Sequence, residues 1–327
     1  MSIARTAALV GTGLLLAGCG SAGAAVPEVT IYVTNQLDNT LSVIDGGTHR
    51  VVATVPVGTS PTAVAVSPDG GSAYVAEGGD NAVAVLDTRT RTVRTTVALP
   101  AGSSPRGVAL SRDGRLLYVA DGGANAVSVV DTRGDRVVAS VPVGTQPVSV
   151  AVTPDGGSVY VANSGSGDVS VIDTRTNRVR RAVATGRYPA GVAVAPDGGS
   201  VYVADELSAD VAVIETRGGT VAARIPVGTG PFDVAAAPDG CCVYVADPGP
   251  GDLAVIDTHT RRVAATISIG PFLTDPFSVA ATRDAIYVAD QGANTVSVVD
   301  PRTRRVVATV ATGGSPYGVA VAIRGRG

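Results

Sequence analysis

The sequence predicts an all-β protein, a seven-bladed β-propeller with four strands per blade. One tyrosine recurs at intervals of 42 to 44 residues along the chain, and four short Val-rich segments separated by turn residues occupy each interval. No segment shows a sustained apolar period of 3.6 residues, which a helix would need. Units of about 42 residues with four strands are typical of propeller blades. The repeated tyrosines are Tyr32, Tyr74, Tyr118, Tyr160, Tyr202, Tyr244 and Tyr287.

Within one repeat the four predicted strands are labelled A to D, from the central channel outwards. Strand A follows a proline loop, as at residues 64–66, and strand B carries the repeated tyrosine. Residues 169–172 are an example of strand C, and residues 137–143 are an example of strand D. The D-to-A and B-to-C connections share one face of the propeller, called the top face. The A-to-B and C-to-D turns share the opposite, bottom face.

The two ends of the repeat region predict how the ring closes. The chain enters the first repeat at a B strand, residues 29–34, and ends on an A strand, residues 318–323. We expect the C-terminal strand to supply the innermost strand of the first blade, because this leaves no open sheet edge.

The N-terminus predicts a lipid anchor. Arg5 precedes an apolar run, residues 7–17, that is too short for a membrane-spanning helix and is typical of a signal peptide. The run ends in Leu16-Ala17-Gly18-Cys19, which resembles the lipoprotein box. We therefore expect a signal peptide over 1–18, lipidated Cys19 with a flexible tether over 19–27, and the propeller over 28–327. An ordinary signal peptide that contains a cysteine is the alternative.

Composition excludes several kinds of site and partner. All 25 basic residues are arginine, so a catalytic lysine is absent. The only histidines are His49 and His259, which excludes a multi-histidine metal site. A net charge of −3 gives no basic surface for nucleic acid. We expect a monomer without a cofactor, held at the extracytoplasmic side of a bacterial membrane in the cell envelope.

The repeat motif resembles the YVTN family of seven-bladed propellers. Tyr32-Val33-Thr34-Asn35 matches the namesake motif, and the other six repeats carry variants over residues 28–323. The resemblance implies an extracytoplasmic bacterial protein similar to the YncE type. Related propellers include lactonases and a lyase that use His, Glu or Asp around the channel mouth. Both histidines of this chain fall in C-to-D turns, away from the channel.

A polar residue ends every predicted B strand. A circle of such oxygens could bind a hard cation such as Ca²⁺, whereas turn hydrogen bonding is the simpler interpretation, because the position recurs in every blade. The residues are Asn35, Glu77, Asp121, Asn163, Asp205, Asp247 and Asp290. Asp residues in the C-to-D turns are interpreted as structural.

The neighbouring cysteines Cys241 and Cys242 occupy a bottom turn. They could form a vicinal disulfide in an oxidising compartment. The alternative is a pair of small turn residues, since other repeats carry Gly-Ser at the same place, as at Gly157-Ser158.

Charge is distributed unevenly between the faces. The strand assignment puts 13 acidic residues on the top face, opposed by Arg106 and Arg187, whereas most other arginines fall on bottom turns. This arrangement would turn an Arg-rich face towards anionic lipid.

Five aromatic residues lie outside the repeat template, in or beside D-to-A loops of four consecutive repeats. They are expected to form an arc at the top channel mouth, where exposed aromatics beside a pocket favour a binding site. Four polar residues would orient the ligand, and the acidic surroundings favour some positive charge on it. The aromatic residues are Tyr188, Phe232, Phe272, Phe277 and Tyr317, and the polar ones are Asp233, Asp275, Arg187 and Glu206.

The sequence is compatible with two classes of function, a binding protein and an enzyme. A binding or scaffolding lipoprotein, with a protein, peptide or small-molecule ligand at its top face, is favoured over an enzyme, because no His, Lys or Cys falls near the channel. The alternative is a lactonase- or lyase-like enzyme that uses top-face carboxylates, with or without a divalent metal.

The lipid anchor is directly testable. Mass spectrometry of protein extracted from membranes is expected to find a mature N-terminus at acylated Cys19, because the cysteine directly follows Leu16-Ala17-Gly18. Recovery of a mature form that starts at another residue contradicts the assignment.

Overall fold

The computed structural model describes residues 28–270 and 274–324. Within these ranges the chain forms seven four-stranded antiparallel sheets, which confirms the predicted seven-bladed propeller. The predicted signal peptide, Cys19 and the tether lie outside the described residues. The only helix in the described part is a single 3₁₀ turn, Glu206–Ser208, and no helix there is long and apolar enough to cross a membrane.

The strands of blades 1 to 4 follow the predicted order. Blade 1 contains β1 (Glu28–Asn35), β2 (Thr40–Asp45) and β3 (Arg50–Pro56) as strands B to D, and blades 2 to 4 each run A to D. The strands of blades 2 to 4 are β4 (Pro61–Val66), β5 (Ser72–Glu77), β6 (Ala82–Asp87), β7 (Thr92–Ala98), β8 (Pro105–Leu110), β9 (Leu116–Asp121), β10 (Ala126–Asp131), β11 (Arg136–Pro142), β12 (Pro147–Val152), β13 (Ser158–Asn163), β14 (Asp168–Asp173) and β15 (Arg178–Ala184).

Blades 5 to 7 repeat this order, and the last strand returns to blade 1. Their strands are β16 (Pro189–Val194), β17 (Ser200–Asp205), β18 (Asp210–Glu215), β19 (Thr220–Pro226), β20 (Asp233–Ala236), β21 (Cys242–Asp247), β22 (Asp252–Asp257), β23 (Arg262–Ser268), β24 (Pro276–Ala281), β25 (Ile286–Asp290), β26 (Thr295–Asp300), β27 (Arg305–Ala311) and β28 (Pro316–Arg324).

Closure of the ring occurs as predicted. Strand β28 pairs antiparallel with β1, for example Val321 with Ile31 and Val319 with Val33. The first blade therefore has the strand order β28-β1-β2-β3, and the N- and C-terminal strands lie side by side. At the top of this pair, the Thr34 hydroxyl donates to the Thr62 carbonyl of blade 2 at 2.6 Å.

The hydrophobic core lies between neighbouring blades. Seven clusters of buried side chains fill the interfaces, and each combines the repeated tyrosine of one blade with Val, Ile or Leu of the next. Tyr118, for example, is 1% exposed and packs with Val159 and Val161 of blade 4. Each fully buried Val or Ile contributes about 1.5–3 kcal/mol, so the interfaces, rather than single blades, stabilise the ring.

A β-bulge follows the proline that opens strand A. In six blades the A–B register shifts directly after this proline, as between Pro61 and Val64 in blade 2. A bulge re-aims the side chains beside it. In these six blades the residue after the proline lines the central channel, as does Phe232 of blade 6, where strand A begins at the next residue.

Loss of the closing strand is expected to destabilise the whole domain. Deleting residues 316–327 removes the packing of Val319 and Val321 between blades 7 and 1 and leaves β1 as an open edge. A loss of several kcal/mol follows, and it lowers the Tm by roughly 10 °C in thermal denaturation. Ile323 is 55% exposed, so Ile323→Ala is the matched control with little effect. An unchanged Tm in the truncated protein contradicts ring closure by β28.

Candidate functional site

The central channel opens on the top face as a cavity of about 210 Å³. All seven A strands line it, and each contributes the residue that follows its proline. These residues differ strongly between blades, although the surrounding repeat is uniform. In ring order from blade 1 they are Tyr317, Thr62, Arg106, Val148, Ala190, Phe232 and Phe277.

Three aromatic rings from blades 6, 7 and 1 stack on one side of this cavity. The ring centroids of Phe232 and Phe277 lie 3.7 Å apart, and those of Phe277 and Tyr317 lie 4.5 Å apart. Phe232 and Tyr317 meet edge to face at 6.4 Å. The three rings are only partly buried, so they present an aromatic wall to the channel mouth, an arrangement that suits a flat apolar group.

Asp233 lies below this wall and is held by the neighbouring blade. Its carboxylate accepts hydrogen bonds from the Ser278 hydroxyl at 2.8 Å and from the Val279 N–H at 3.1 Å. Burial raises the pKa of Asp233, and these two donors oppose the shift. The carboxylate therefore joins blade 6 to blade 7 and also faces the cavity.

Arg106 lies across the channel from Phe232 and Phe277, in blade 3. Burial raises the pKa of the Tyr317 hydroxyl, and the Arg106 guanidinium beside it lowers that pKa. Arg106 is exposed and forms no ion pair with the described residues. The cavity thus combines one aromatic wall with one accessible positive charge.

The structure separates the predicted site residues into two groups. Phe232, Phe277, Tyr317 and Asp233 line the cavity, and their role in ligand binding stays a prediction. The other described candidates do not line it, and Phe272 lies outside the described residues. The candidates outside the cavity are Tyr188, Arg187, Glu206 and Asp275.

Their positions in the loops explain why these four miss the cavity, since it is lined from the proline-following residue of each repeat onwards. Tyr188 and Asp275 precede the proline and adopt left-handed backbone conformations, with φ of 59° and 49°. Arg187 is exposed, and its guanidinium donates to the Leu207 carbonyl at 2.6 Å. Glu206 begins the 3₁₀ turn of the B-to-C loop. All four belong to the rim of the top face rather than to the channel.

The polar residues that end the B strands are buried structural groups rather than a ring around the channel. All seven are at most 3% exposed, and several bond within their own blade. Asn35 donates to Thr40 and Ser42, both at 2.9 Å, and Asp121 accepts from Ser128 at 2.6 Å. Across the described ranges, no three His, Cys, Asp or Glu side chains come together as a metal site. In blades 1 and 3 these bonds go to hydroxyl groups of strand C, whereas the predicted bonding to a loop N–H occurs at Glu77, which accepts from the Gly58 N–H.

The top face is less acidic than the sequence count suggested. Arg224, on strand β19, reaches Asp205 and Asp210 at 3.4 Å each and donates to the Thr185 carbonyl. Arg224 is therefore a third arginine that offsets the acidic charge of the top face, besides Arg106 and Arg187. The strand assignment did not predict this, because the long Arg224 side chain extends along the blade to the top face. Five of the 13 acids are also the buried residues that end the B strands.

The bottom face carries both histidines and Cys241 in turns, and Cys242 begins strand β21 beside them. His49 adopts φ of 54° in its C-to-D turn. Turn aspartates such as Asp87 accept hydrogen bonds from backbone N–H groups, which lowers their pKa and confirms their structural role. Cys241 and Cys242 are free thiols with their Sγ atoms 2.8 Å apart, and burial together with the adjacent thiol raises the pKa of Cys241 to about 12.

Comparison with protein families gives one match. A family described as "Lactonase, 7-bladed beta-propeller" matches residues 27–138, about a third of the chain. No curated protein matches the sequence.

Solved structures with the same fold belong to different functional classes. Hydrazine synthase from Kuenenia stuttgartiensis is 24% identical over 83% of this chain and 92% of that one, with a TM-score of 0.74. A functionally unknown protein from Desulfotomaculum acetoxidans is 16% identical over 89% and 98%, with a TM-score of 0.77. Dihydro-heme d1 dehydrogenase NirN, in complex with DHE, is 20% identical over 86% and 63%, with a TM-score of 0.66. At these identities the likeness shows the fold alone.

Buried aspartates are expected to make the protein less stable above pH 6. Asp290 is 0% exposed, and burial raises its pKa to about 6, partly offset by hydrogen bonds from Ser297 and Thr295. A group whose pKa is higher in the folded than in the unfolded state stabilises the fold while protonated. That contribution is present below about pH 4 and declines as the pH rises through 6.

Asp290→Asn therefore stabilises the fold by about 1–3 kcal/mol at pH 8 and much less at pH 5. Blade 1 already carries this arrangement, with Asn35 bonded to Thr40 and Ser42. Urea denaturation at the two pH values measures the difference. Asp257→Ala, at an exposed turn where the pKa is lowered, is the control and destabilises at pH 8. Equal effects of Asp290→Asn at both pH values contradict the prediction.

Proposed function

We propose that this protein is a binding protein whose ligand site is the top mouth of the central channel. The observation that carries the proposal is the stack of Phe232, Phe277 and Tyr317 in a cavity that also contains Arg106, whose guanidinium lies beside the Tyr317 hydroxyl. Aromatic walls with a few oriented polar groups are the usual composition of small-ligand sites. None of these residues belongs to the repeated template, so the propeller does not need them at these positions.

The proposed ligand carries a flat apolar group and a negative charge. The flat group lies against the aromatic wall, where stacking contributes about 0.5–1.5 kcal/mol beyond burial. An anionic group on the ligand pairs with Arg106, the accessible charge of the cavity. Asp233 is less suited to bind a cation, because Ser278 and Val279 already occupy its carboxylate. The proposed negative charge replaces the positive charge that the sequence analysis expected on the ligand from the number of acidic residues on the top face.

The proposed location is outside the cytoplasm, on a lipid attached to Cys19. The start of β1 supports it: Val29 pairs with Ile323 and accepts from the Gly46 N–H of a C-to-D turn, so the chain leaves the propeller from the bottom face. A lipid tether at that end turns the channel mouth away from the membrane and towards soluble ligands.

Fluorescence titration with 2-naphthoate tests the site. We expect Phe232→Ala combined with Tyr317→Ala to weaken binding at least tenfold with a small change in Tm, because the rings are partly exposed. Arg106→Gln is expected to weaken 2-naphthoate but not 2-naphthylmethylamine. Leu37→Ala, at an exposed top-face side chain outside the cavity, is the control and leaves affinity unchanged. Intact affinity in the double variant, together with a fall in stability of several kcal/mol, contradicts the proposal.

The family match favours a second candidate function, hydrolysis of a lactone in the same cavity. Asp233 is the carboxylate of the cavity lining that could accept a proton from water. Turnover of an aromatic lactone such as dihydrocoumarin, lost in Asp233→Asn, supports hydrolysis in place of simple binding. Binding of 2-naphthoate without any lactone turnover supports the first proposal.

A further inference from the structure

A second cavity lies on the outer top rim, between blades 5 and 6, away from the channel. It has a volume of about 360 Å³, and the end of β21 and the start of β22 contribute two carboxylates to it, Asp247 and Asp252. The remaining walls are mostly apolar and include Pro226, Pro250 and Val263.

Most blades supply a side-chain partner for the polar residue that ends strand B. In blades 1, 3, 4 and 7 this partner is a serine on strand C, such as Ser128 beside Asp121 or Ser297 beside Asp290. In blade 2 the longer Glu77 accepts instead from the Gly58 N–H at 2.7 Å. A buried carboxylate without such a donor is costly to the fold.

Blade 5 replaces the serine with an arginine. Ala212 stands at the serine position, and the Arg224 guanidinium takes over by reaching Asp205 and Asp210, both at 3.4 Å. The same guanidinium donates to the Thr185 carbonyl of blade 4. One planar cation therefore contacts two carboxylates and one backbone carbonyl, and it bonds one of the two Asp205 oxygens.

Blade 6 has the same two carboxylates without the arginine. Ala254 stands at the serine position, and Thr266 occupies the strand position of Arg224. Asp247 is 1% exposed, and neither of its oxygens has a hydrogen-bond partner among the described residues. Burial raises the pKa of Asp247 to about 6, and the Asp252 charge reinforces the shift. The N–H groups of Gly249, Gly230 and Gly228 lie close enough to oppose it, but none forms a hydrogen bond of good geometry with the carboxylate. The cavity occupies the place that the Arg224 side chain fills in blade 5.

We infer that this cavity binds a guanidinium group, such as the side chain of an arginine in a peptide ligand. Asp247 and Asp252 correspond to Asp205 and Asp210, and Val227, which also lines the cavity, corresponds to Thr185. A guanidinium offers five N–H donors in a planar fork, which suits two carboxylates and a carbonyl. The apolar walls suit the aliphatic part of an arginine side chain. A Ca²⁺ ion would need six to eight oxygen ligands.

Calorimetric titration of the folded protein with methylguanidinium, at pH 8 and constant ionic strength, tests the inference. We expect one bound equivalent, and at least tenfold weaker binding in Asp247→Asn. Blades 1 and 4 carry an asparagine at the equivalent position, so we expect the Asp247→Asn variant to fold. Thr266→Arg supplies the guanidinium within the chain and is expected to abolish binding and raise the Tm. Asp290→Asn, in blade 7, is the matched control and leaves binding unchanged.

Arg224→Ala provides an independent readout. Removing this side chain opens the equivalent place in blade 5, so the stoichiometry is expected to rise from one to two methylguanidinium ions. The double variant Phe232→Ala, Tyr317→Ala must still bind one equivalent, because the site does not depend on the channel.

Three results would overturn the inference. They are absence of methylguanidinium binding to the wild-type protein, equal affinity in Asp247→Asn, and binding of Ca²⁺ or methylammonium in preference to methylguanidinium.

Discussion

The top face depends on buried polar groups at the end of strand B and beside it on strand C, which hold the preceding D-to-A loop in blades 2 and 4. In blade 2 the Glu77 carboxylate accepts the Gly58 N–H of that loop at 2.7 Å. In blade 4 the Ser170 hydroxyl, itself bonded to Asn163, accepts the Gly144 N–H at 3.3 Å. These bonds fix the loop that leads into the proline of strand A. The residue after that proline then lines the channel in every blade, with a bulge beside it in six of the seven.

The repeat makes the fold predictable, because its constraints are local and recur seven times. The tyrosine interval follows from the need for each blade to bury the same side chains against its neighbour, as Tyr118 does against Val159. Closure by the C-terminal strand was predictable from the strand types at the two ends. The exposure of Ile323 was not predictable from the strand type, because it depends on the position of this side chain near the bottom end of β28, where it is 55% exposed.

The channel lining was only partly predictable. Phe232, Phe277 and Tyr317 departed visibly from the template, but aromatic character alone could not separate them from Tyr188, which lies two residues earlier relative to its proline. Aligning the prolines would have brought Arg106 into the same set, since it also directly follows one. The reach of Arg224 to two carboxylates depends on side-chain geometry that strand assignment does not contain.

The residues that differ between repeats thus line the proposed binding sites, whereas the repeated residues form the core between blades.

The most direct measurement is an NMR titration of protein labelled on phenylalanine and tyrosine rings, with 2-naphthoate added. The account predicts that the resonances of Phe232, Phe277 and Tyr317 shift together, while those of the buried repeat tyrosines such as Tyr118 and Tyr160 stay in place. Shifts confined to the repeat tyrosines, or none at the three channel rings, would contradict it.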